Sequence, residues 1–253
     1  MIAAQTGGPA DAPPLLLLAG QANSHRWWDG LREAFEADFA TVTFDYRGTG
    51  ETGDATDAPM STWSTRLFAQ DAVDVMTRLG HERFAVYGTS MGGRVAQMLA
   101  ADHPERVTRL VLACTSPGGP HAVERSQEVR RRLADPDRRA RGRSLVDLFY
   151  TPAWRGRPSD STLFGDPRMS PEASAAHLRV SAAHDAWQVL PTIAAPTLVL
   201  HGSDDLMVPT ANAPLLAQRI PGALLHLHHG GRHGFFDEFA DEIGPLALDF
   251  LLG

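Results

Sequence analysis

Residues 83–93, RFAVYGTSMGG, decide how the chain is organised. The first half is a short apolar run that is typical of a buried strand and ends at Gly88. Ser90 follows between Gly88 and Gly92, and a helical pattern begins at Met91. A sharp strand-to-helix turn needs glycines because the two backbones approach closely, and it lifts the serine hydroxyl above the edge of the sheet. The segment therefore predicts that Ser90 is a nucleophile at the carboxyl end of a parallel strand.

Short apolar runs and helical patterns alternate along the rest of the chain. The runs are continuously apolar, which suits parallel strands covered by helices on both faces. We therefore predict an α/β fold with a doubly wound, mostly parallel sheet. The predicted strands are residues 14–18, 40–44, 83–87, 110–114, 197–200 and 223–227, and the clearest predicted helices are residues 62–79, 91–101 and 236–252.

Residues 117–187 interrupt this alternation with a stretch rich in arginine and then in proline, glycine and serine. Ser170, Pro171 and Glu172 are typical of a helix start. We interpret residues 1–116 and 188–253 as the core and residues 117–187 as an inserted helical lid, since open α/β sheets bind ligands at this edge. An insertion without function is the alternative. About a dozen residues precede the first buried strand, so an N-terminal hairpin should be reduced or absent.

Composition excludes several classes of protein. With 43% hydrophobic and 21% charged residues, the chain is typical of a globular enzyme and unlike a disordered tail. A net charge of -7 argues against a nucleic-acid partner, and no apolar run is long enough to cross a membrane. All 23 basic residues are arginine, which excludes Schiff-base and P-loop lysines. The single cysteine, Cys114, and the lack of a signal-peptide pattern favour a cytoplasmic protein. The oligomeric state stays open.

Five motifs occur in order along the chain: AGQ at 19–21, FDYRGTGET at 44–52, GTSMGG at 88–93, PTLVLHGSDD at 196–205 and GGRHGFF at 230–236. With these motifs the chain resembles α/β-hydrolase-fold enzymes. It is most similar to the branch that contains 3-oxoadipate enol-lactonases, small esterases and cofactor-free haloperoxidases. The resemblance covers nearly all of the chain outside the predicted lid. It implies the α/β-hydrolase fold, a catalytic triad, and chemistry that needs no metal or organic cofactor.

The resemblance also implies the members of the triad. Ser90 would be the nucleophile, His233 its base, and Asp205 the acid that orients the imidazole. Asp205 fits the family pattern G-x-x-D, and Asp204 is the alternative. Arg232 stands where the family usually has a glycine immediately before the histidine.

Two other histidines, His226 and His228, could instead indicate a metal site. His226 and His228 lie two residues apart on a predicted strand and would therefore share a face. No cysteine or close acidic cluster completes a ligand set in the sequence, so we expect these histidines to have structural roles and no metal to be bound.

The oxyanion hole is also implied by the resemblance. The backbone N–H of Met91 would be one donor, and that of Gln21 would be the other. Ala19 stands where the family often has a histidine that supports this turn. Candidate substrate-binding side chains are Trp27, Phe149 and Trp154.

These expectations combine into one preferred function and several alternatives. The preferred function is a serine hydrolase that cleaves a carboxylic ester or lactone of a small, moderately hydrophobic molecule through an acyl-enzyme. A haloperoxidase or perhydrolase, or a C–C bond hydrolase, would use the same triad. A ligand-binding protein with an inactive triad is a more distant alternative.

Overall fold

The computed structural model describes residues 1–54 and 57–253, and its centre is a seven-stranded sheet. The strands are β1 (Ala4–Gly7), β2 (Pro14–Leu18), β3 (Ala40–Phe44), β4 (Phe84–Thr89), β5 (Val107–Ala113), β6 (Thr197–Gly202) and β7 (Leu224–His228). Their spatial order is β1-β3-β2-β4-β5-β6-β7. All neighbouring strands are parallel except β1 and β3, which pair antiparallel. The structure thus confirms the predicted α/β-hydrolase fold and its mostly parallel sheet.

The six predicted strands are all present. The bounds of β2 and β3 match the prediction. β4, β5 and β6 extend by two, three and two residues at one end, β4 and β5 are one residue shorter at the other end, and β7 is shifted by one residue. Four consecutive leucines of β2 are buried, which shows that both faces of the sheet are covered. The N-terminal segment contributes the four-residue strand β1, and in the described part of the chain no second strand joins it in a hairpin. The predicted reduction of the hairpin is therefore confirmed.

Eight α-helices are described. They are α1 (Thr65–Arg78), α2 (Met91–Asp102), α3 (Gln127–Leu133), α4 (Arg138–Phe149), α5 (Pro171–Ala182), α6 (Asn212–Arg219), α7 (Phe235–Glu238) and α8 (Ala240–Leu252). α1 begins three residues later than predicted because Ser64 caps it, with Oγ accepting a hydrogen bond from Leu67 N at 3.1 Å. The predicted C-terminal helix is divided into α7 and α8 at Phe239. None of the helices in residues 1–54 and 57–253 is both long and apolar enough to cross a membrane.

Three of these helices, α3, α4 and α5, lie in residues 117–187, between β5 and β6. Ser170 is the N-cap of α5, as the sequence predicts, and its Oγ accepts a hydrogen bond from Ala173 N at 3.1 Å. The buried face of α5 consists of Ala173, Ala176, His177 and Val180. His177 is the polar member of this face, and the other three side chains are apolar.

Candidate active site

Ser90 lies on the turn between β4 and α2 and has a strained backbone, with φ of 53°. Its N–H donates to Ala113 O at 2.9 Å, and its carbonyl accepts from Thr115 Oγ1 at 2.7 Å. The turn is tight: a Cβ on Gly92 would lie 2.3 Å from the carbonyl oxygen of Leu18. The glycine is therefore required by close backbone contact, and the end of β5 with the residues that follow it holds the strained serine in place.

His233 lies beside Ser90 in the loop between β7 and α7. Its Nε2 is 3.1 Å from Ser90 Oγ, and its Nδ1 is 2.8 Å from Asp205 Oδ2. Because a carboxylate only accepts hydrogen bonds, Nδ1 carries the proton and Nε2 is left to accept from the serine hydroxyl. The side chain of His233 is 2% exposed. A continuous chain of hydrogen bonds therefore joins the hydroxyl to the carboxylate.

Residues 117–187 hold the loop that carries His233. The amide N–H groups of His233 and Gly234 donate to the carbonyls of Leu148 and Phe149, at 3.2 and 2.8 Å. Arg232 has a related role, because its Nη1 contacts Asp147 Oδ1 at 2.7 Å. The arginine that departs from the family pattern thus attaches this loop to α4.

The sequence left two aspartates as candidates, and the structure brings Asp205 to the imidazole. The other Asp205 oxygen, Oδ1, accepts hydrogen bonds from the amides of Met207 and Val208 at 2.8 and 2.9 Å. Asp204 is exposed, and its Oδ1 accepts from Ser203 Oγ at 2.8 Å. Asp204 therefore takes no part in the hydrogen-bond chain described above.

Asp205 is held as a carboxylate despite complete burial. Burial alone would raise the pKa of Asp205, but electrostatic attraction to His233 and hydrogen bonds from His201 and His233 outweigh this effect, so the pKa lies well below the usual range. His201 is itself fully buried, with Nε2 3.3 Å from Asp205 Oδ2 and 2.9 Å from Val208 O. His201 is a contact of the carboxylate that the sequence analysis missed; its position in the LVLHG strand is the signal that could have identified it.

Two backbone amides near Ser90 are available to bind an oxygen atom. Met91 is the first residue of α2, so its N–H has no acceptor within the helix. Gln21 lines the same cavity as Ser90. In residues 1–54 and 57–253, neither amide donates a hydrogen bond. This arrangement suits a pair of oxyanion donors.

The turn that contains Gln21 is supported by residues 117–187. Ala22, with φ of 57°, donates its N–H to His177 Nδ1 at 3.2 Å, and its carbonyl accepts from Asp166 N at 2.8 Å. His177 Nε2 donates to the carbonyl of Arg47 at 2.8 Å. The family often has a histidine at the position of Ala19 that supports this turn. In this chain His177 of α5 supports the turn instead. The sequence analysis missed His177. It could have been identified as a histidine on the otherwise apolar face of α5.

A cavity of about 320 Å³ opens beside Ser90 and His233. Two of the three candidate substrate-binding side chains, Trp27 and Phe149, line it. Trp154 does not: its ring stacks on Tyr150 with centroids 3.9 Å apart. The wall is mixed. Its apolar part comes from Trp27, Leu133, Leu145, Phe149, Leu163 and Phe164, and its polar part includes Gln21, Asn23, Arg125 and Arg141.

The two histidines considered as metal ligands lie on the edge strand of the sheet. His226 and His228 both lie on β7, and the ring of His228 packs against those of Phe235 and Phe239, with centroids 6.2 and 4.3 Å away. Within the described residues, no group of three or more histidine, cysteine, aspartate or glutamate side chains is arranged to hold a metal ion.

Comparison with known proteins places the chain in a family. The family model for the alpha/beta hydrolase fold matches residues 13–239. The curated protein "Putative carbamate hydrolase RutD" from Caulobacter sp. (strain K31) is 30% identical over 257 residues, which cover 98% of this chain and 94% of that protein.

Solved structures agree with this assignment. Est816, described as an N-acyl homoserine lactone degrading enzyme, is 26% identical with a TM-score of 0.81, covering 98% of this chain and 96% of its own. The enol-lactonase from Burkholderia xenovorans LB400 shares the fold at 24% identity and a TM-score of 0.81, covering 100% of this chain and 96% of its own. The chain therefore belongs to the α/β-hydrolase fold family.

Proposed function

We propose that this α/β hydrolase is a serine hydrolase of carboxylic esters or lactones, with Ser90, His233 and Asp205 as its catalytic triad. The observation that carries the proposal is the hydrogen-bond chain from Ser90 Oγ through His233 to Asp205, at 3.1 and 2.8 Å, beside a partly apolar cavity. The relationship to a lactone-degrading enzyme supports a lactone or ester as the substrate.

The geometry supports a two-step reaction. Ser90 Oγ attacks the carbonyl carbon of the ester while His233 Nε2 takes the hydroxyl proton, and Asp205 stabilises the resulting imidazolium. The amides of Met91 and Gln21 bind the oxyanion. His233 then gives the proton to the leaving alcohol oxygen, which leaves an acyl-enzyme on Ser90. A water molecule, deprotonated by the same nitrogen, cleaves the acyl-enzyme and restores the serine.

Residues 117–187 would act as the lid of this site. They supply Leu133, Leu145 and Phe149 to the cavity wall and hold the loop of His233. A moderately hydrophobic small molecule fits such a wall.

Labelling with a fluorophosphonate tests the nucleophile, since this reagent modifies an activated serine. We expect mass spectrometry to find one adduct on the native protein and none on Ser90→Ala, with loss of p-nitrophenyl ester hydrolysis in the same variant. Ser159→Ala, which changes an exposed serine, is the matched control and should be labelled as the native protein is. An adduct on Ser90→Ala, or retained hydrolysis, would refute the assignment.

Carbamate hydrolysis is a second candidate, favoured by the relative from Caulobacter. The same triad could attack a carbamate carbonyl. Product analysis with matched p-nitrophenyl esters, lactones and carbamates separates these activities by their relative kcat/KM.

A further inference from the structure

The buried carboxylate of Asp205 has a second histidine beside it. His201 lies near the carboxyl end of β6 and is fully buried. Its Nε2 is 3.3 Å from Asp205 Oδ2, the same oxygen that accepts from His233 Nδ1 at 2.8 Å. One oxygen of the carboxylate is therefore shared by two imidazole rings, and only one of these rings belongs to the triad proposed above.

The partners of Nε2 fix the position of the proton on His201. Nε2 is 2.9 Å from the carbonyl oxygen of Val208 and 3.3 Å from the carboxylate of Asp205. Both partners only accept hydrogen bonds, so Nε2 carries the proton. The shorter contact, to the carbonyl, takes the larger share of this N–H, and Oδ2 takes the smaller share. The positive end of the N–H therefore lies close to the oxygen that His233 uses.

The other ring nitrogen of His201 argues against a role in core packing alone. Nδ1 is buried and has no hydrogen-bond partner within residues 1–54 and 57–253. A buried polar atom without a partner costs stability, and a leucine at this position would avoid that cost. The preceding residues of β6 at positions 198–200 are all apolar. The contacts of Nε2 are therefore the gain that accounts for a histidine here.

Val208 connects His201 to the second oxygen of the carboxylate. The amides of Met207 and Val208 donate to Asp205 Oδ1 at 2.8 and 2.9 Å, and the carbonyl of Val208 accepts from His201. His201 thus contacts Asp205 at Oδ2 and also holds the turn that binds Oδ1. Both contacts restrict the movement of the carboxylate that orients His233.

Other titratable groups act on Asp205 from different elements. Burial and the charge of Asp205 raise the pKa of Cys114, which follows β5, so the thiol stays protonated at neutral and acidic pH. Burial lowers the pKa of Arg125, in residues 117–187, while Glu124 and Asp205 favour its charged form, and arginine stays charged in proteins. Neither group therefore changes its charge in the pH range in which an imidazole titrates.

We propose that His201 is a positioning residue of this site, which fixes the carboxylate of Asp205 and, by donating to the oxygen that His233 uses, weakens the attraction of that oxygen for the imidazolium. His233 then releases its proton more readily, and the site stays active at a lower pH than it would without His201. This inference rests on the proposed function, because it concerns the base of the same triad.

The pH profile of kcat/KM for an uncharged p-nitrophenyl ester tests the proposal. In His201→Leu we expect the midpoint of the acidic limb to move to higher pH by about 0.5–1 pH unit, the size expected for loss of one hydrogen bond. At one pH unit below the native midpoint, kcat/KM relative to its plateau should then be about 3- to 10-fold lower than in the native protein. His201→Gln should keep the native midpoint, since the amide nitrogen of glutamine can donate in place of Nε2.

Leu198→Ala is the control variant. Leu198 is buried on the same strand, so its truncation should lower stability and leave the polar contacts of Asp205 unchanged. This variant should keep the native midpoint. An unchanged midpoint in His201→Leu would overturn the proposal, as would an equal movement of the midpoint in Leu198→Ala.

Nitrogen-15 NMR of the imidazole rings provides a readout that requires no turnover. In the native protein we expect the proton of His201 on Nε2, with its signals assigned by their loss in His201→Gln. A proton on Nδ1 of His201 would overturn the proposal, even if His201→Leu does not fold. In His201→Leu we expect the ring of His233 to titrate at higher pH than in the native protein.

The two readouts separate this proposal from the proposed function. If the titration of His233 moves as expected but the native protein hydrolyses no ester, the positioning role of His201 stands and the proposed function fails. If esters are hydrolysed and His233 titrates at the same pH with and without His201, the positioning role fails and the proposed function stands.

Discussion

Acidification should destabilise the fold through two buried histidines of residues 117–187. His177 Nδ1 accepts from Ala22 N, and His184 Nδ1 is hydrogen-bonded to Thr65 Oγ1 at 2.9 Å. Both rings are buried, which favours their neutral forms in the folded protein. Burial lowers the pKa of His177 to about 4. Burial, with the nearby charge of Arg94, lowers the pKa of His184 to about 3. Protonation of His177 at Nδ1 would place a donor against the N–H of Ala22, and protonation of His184 would place a charge in a buried site beside Arg94.

The sign and size of the effect follow from proton linkage. In the unfolded chain a histidine has a pKa of about 6.5, so between pH 4 and 6.5 the unfolded state binds protons that the folded state excludes. The stability contributed by each neutral ring is complete above about pH 6.5 and is lost as the pH falls towards the folded pKa. At pH 5 the loss is about 2 kcal/mol for each histidine and about 4 kcal/mol for both. That is a large part of a typical free energy of unfolding of about 5–15 kcal/mol.

Urea denaturation at pH 7 and pH 5 measures this loss. We compare the difference in the free energy of unfolding between the two pH values in the native protein, His177→Gln and His184→Gln. Each variant should show a pH difference smaller by about 2 kcal/mol, because one titrating ring is gone while other groups cancel in the comparison. His229→Gln, which changes an exposed histidine, should keep the native difference. Equal pH differences in the native protein and both buried variants would refute the assignment of neutral rings.

Three further predictions concern the site and its surroundings. Asp205→Asn should lower kcat/KM for a p-nitrophenyl ester by roughly 10⁴-fold in steady-state kinetics, because the imidazole loses its orienting carboxylate. Asp204→Asn should have little effect, and a larger loss in Asp204→Asn than in Asp205→Asn would contradict the geometry. Gly92→Ala should reduce the free energy of unfolding by about 1–3 kcal/mol, because its Cβ would meet the backbone of Leu18; native stability in urea would show that the turn can relax. Cys114 is fully buried and burial raises the pKa of its thiol, so iodoacetamide should modify it in urea and not in the folded protein.

The inner strands were predictable because they are buried on both faces, whereas β7, at the edge of the sheet, leaves its leucines exposed and was recognised from its apolar run alone. The leucines of β2 form a continuous apolar run, and the observed bounds of β2 and β3 equal the predicted ones. Helix ends were less predictable, because they depend on local hydrogen bonds. The cap at Ser64 shortens α1, and the non-helical backbone of Phe239 divides the last helix, although the apolar pattern continues across it.

The candidate triad was predictable because each member belongs to a motif attached to the end of a strand. The contacts that hold the site were not. His177 reaches the turn of Gln21 from a helix that lies 155 residues away from Ala22 in the sequence, and no local pattern reports such a contact.

The strained backbone of Ser90 has a consequence for how this chain would change under selection. A side chain at φ of 53° costs stability that glycine would recover, typically about 1 kcal/mol or more. In a library of variants sorted for folding alone, glycine at position 90 should therefore be enriched, and the chain would gain thermal tolerance as it loses its hydroxyl. Sorting the same library for ester hydrolysis should return serine. Position 90 should then show the largest difference in residue frequencies between the two sorted libraries. Such a difference would mean that the serine is selected for catalysis and not for stability.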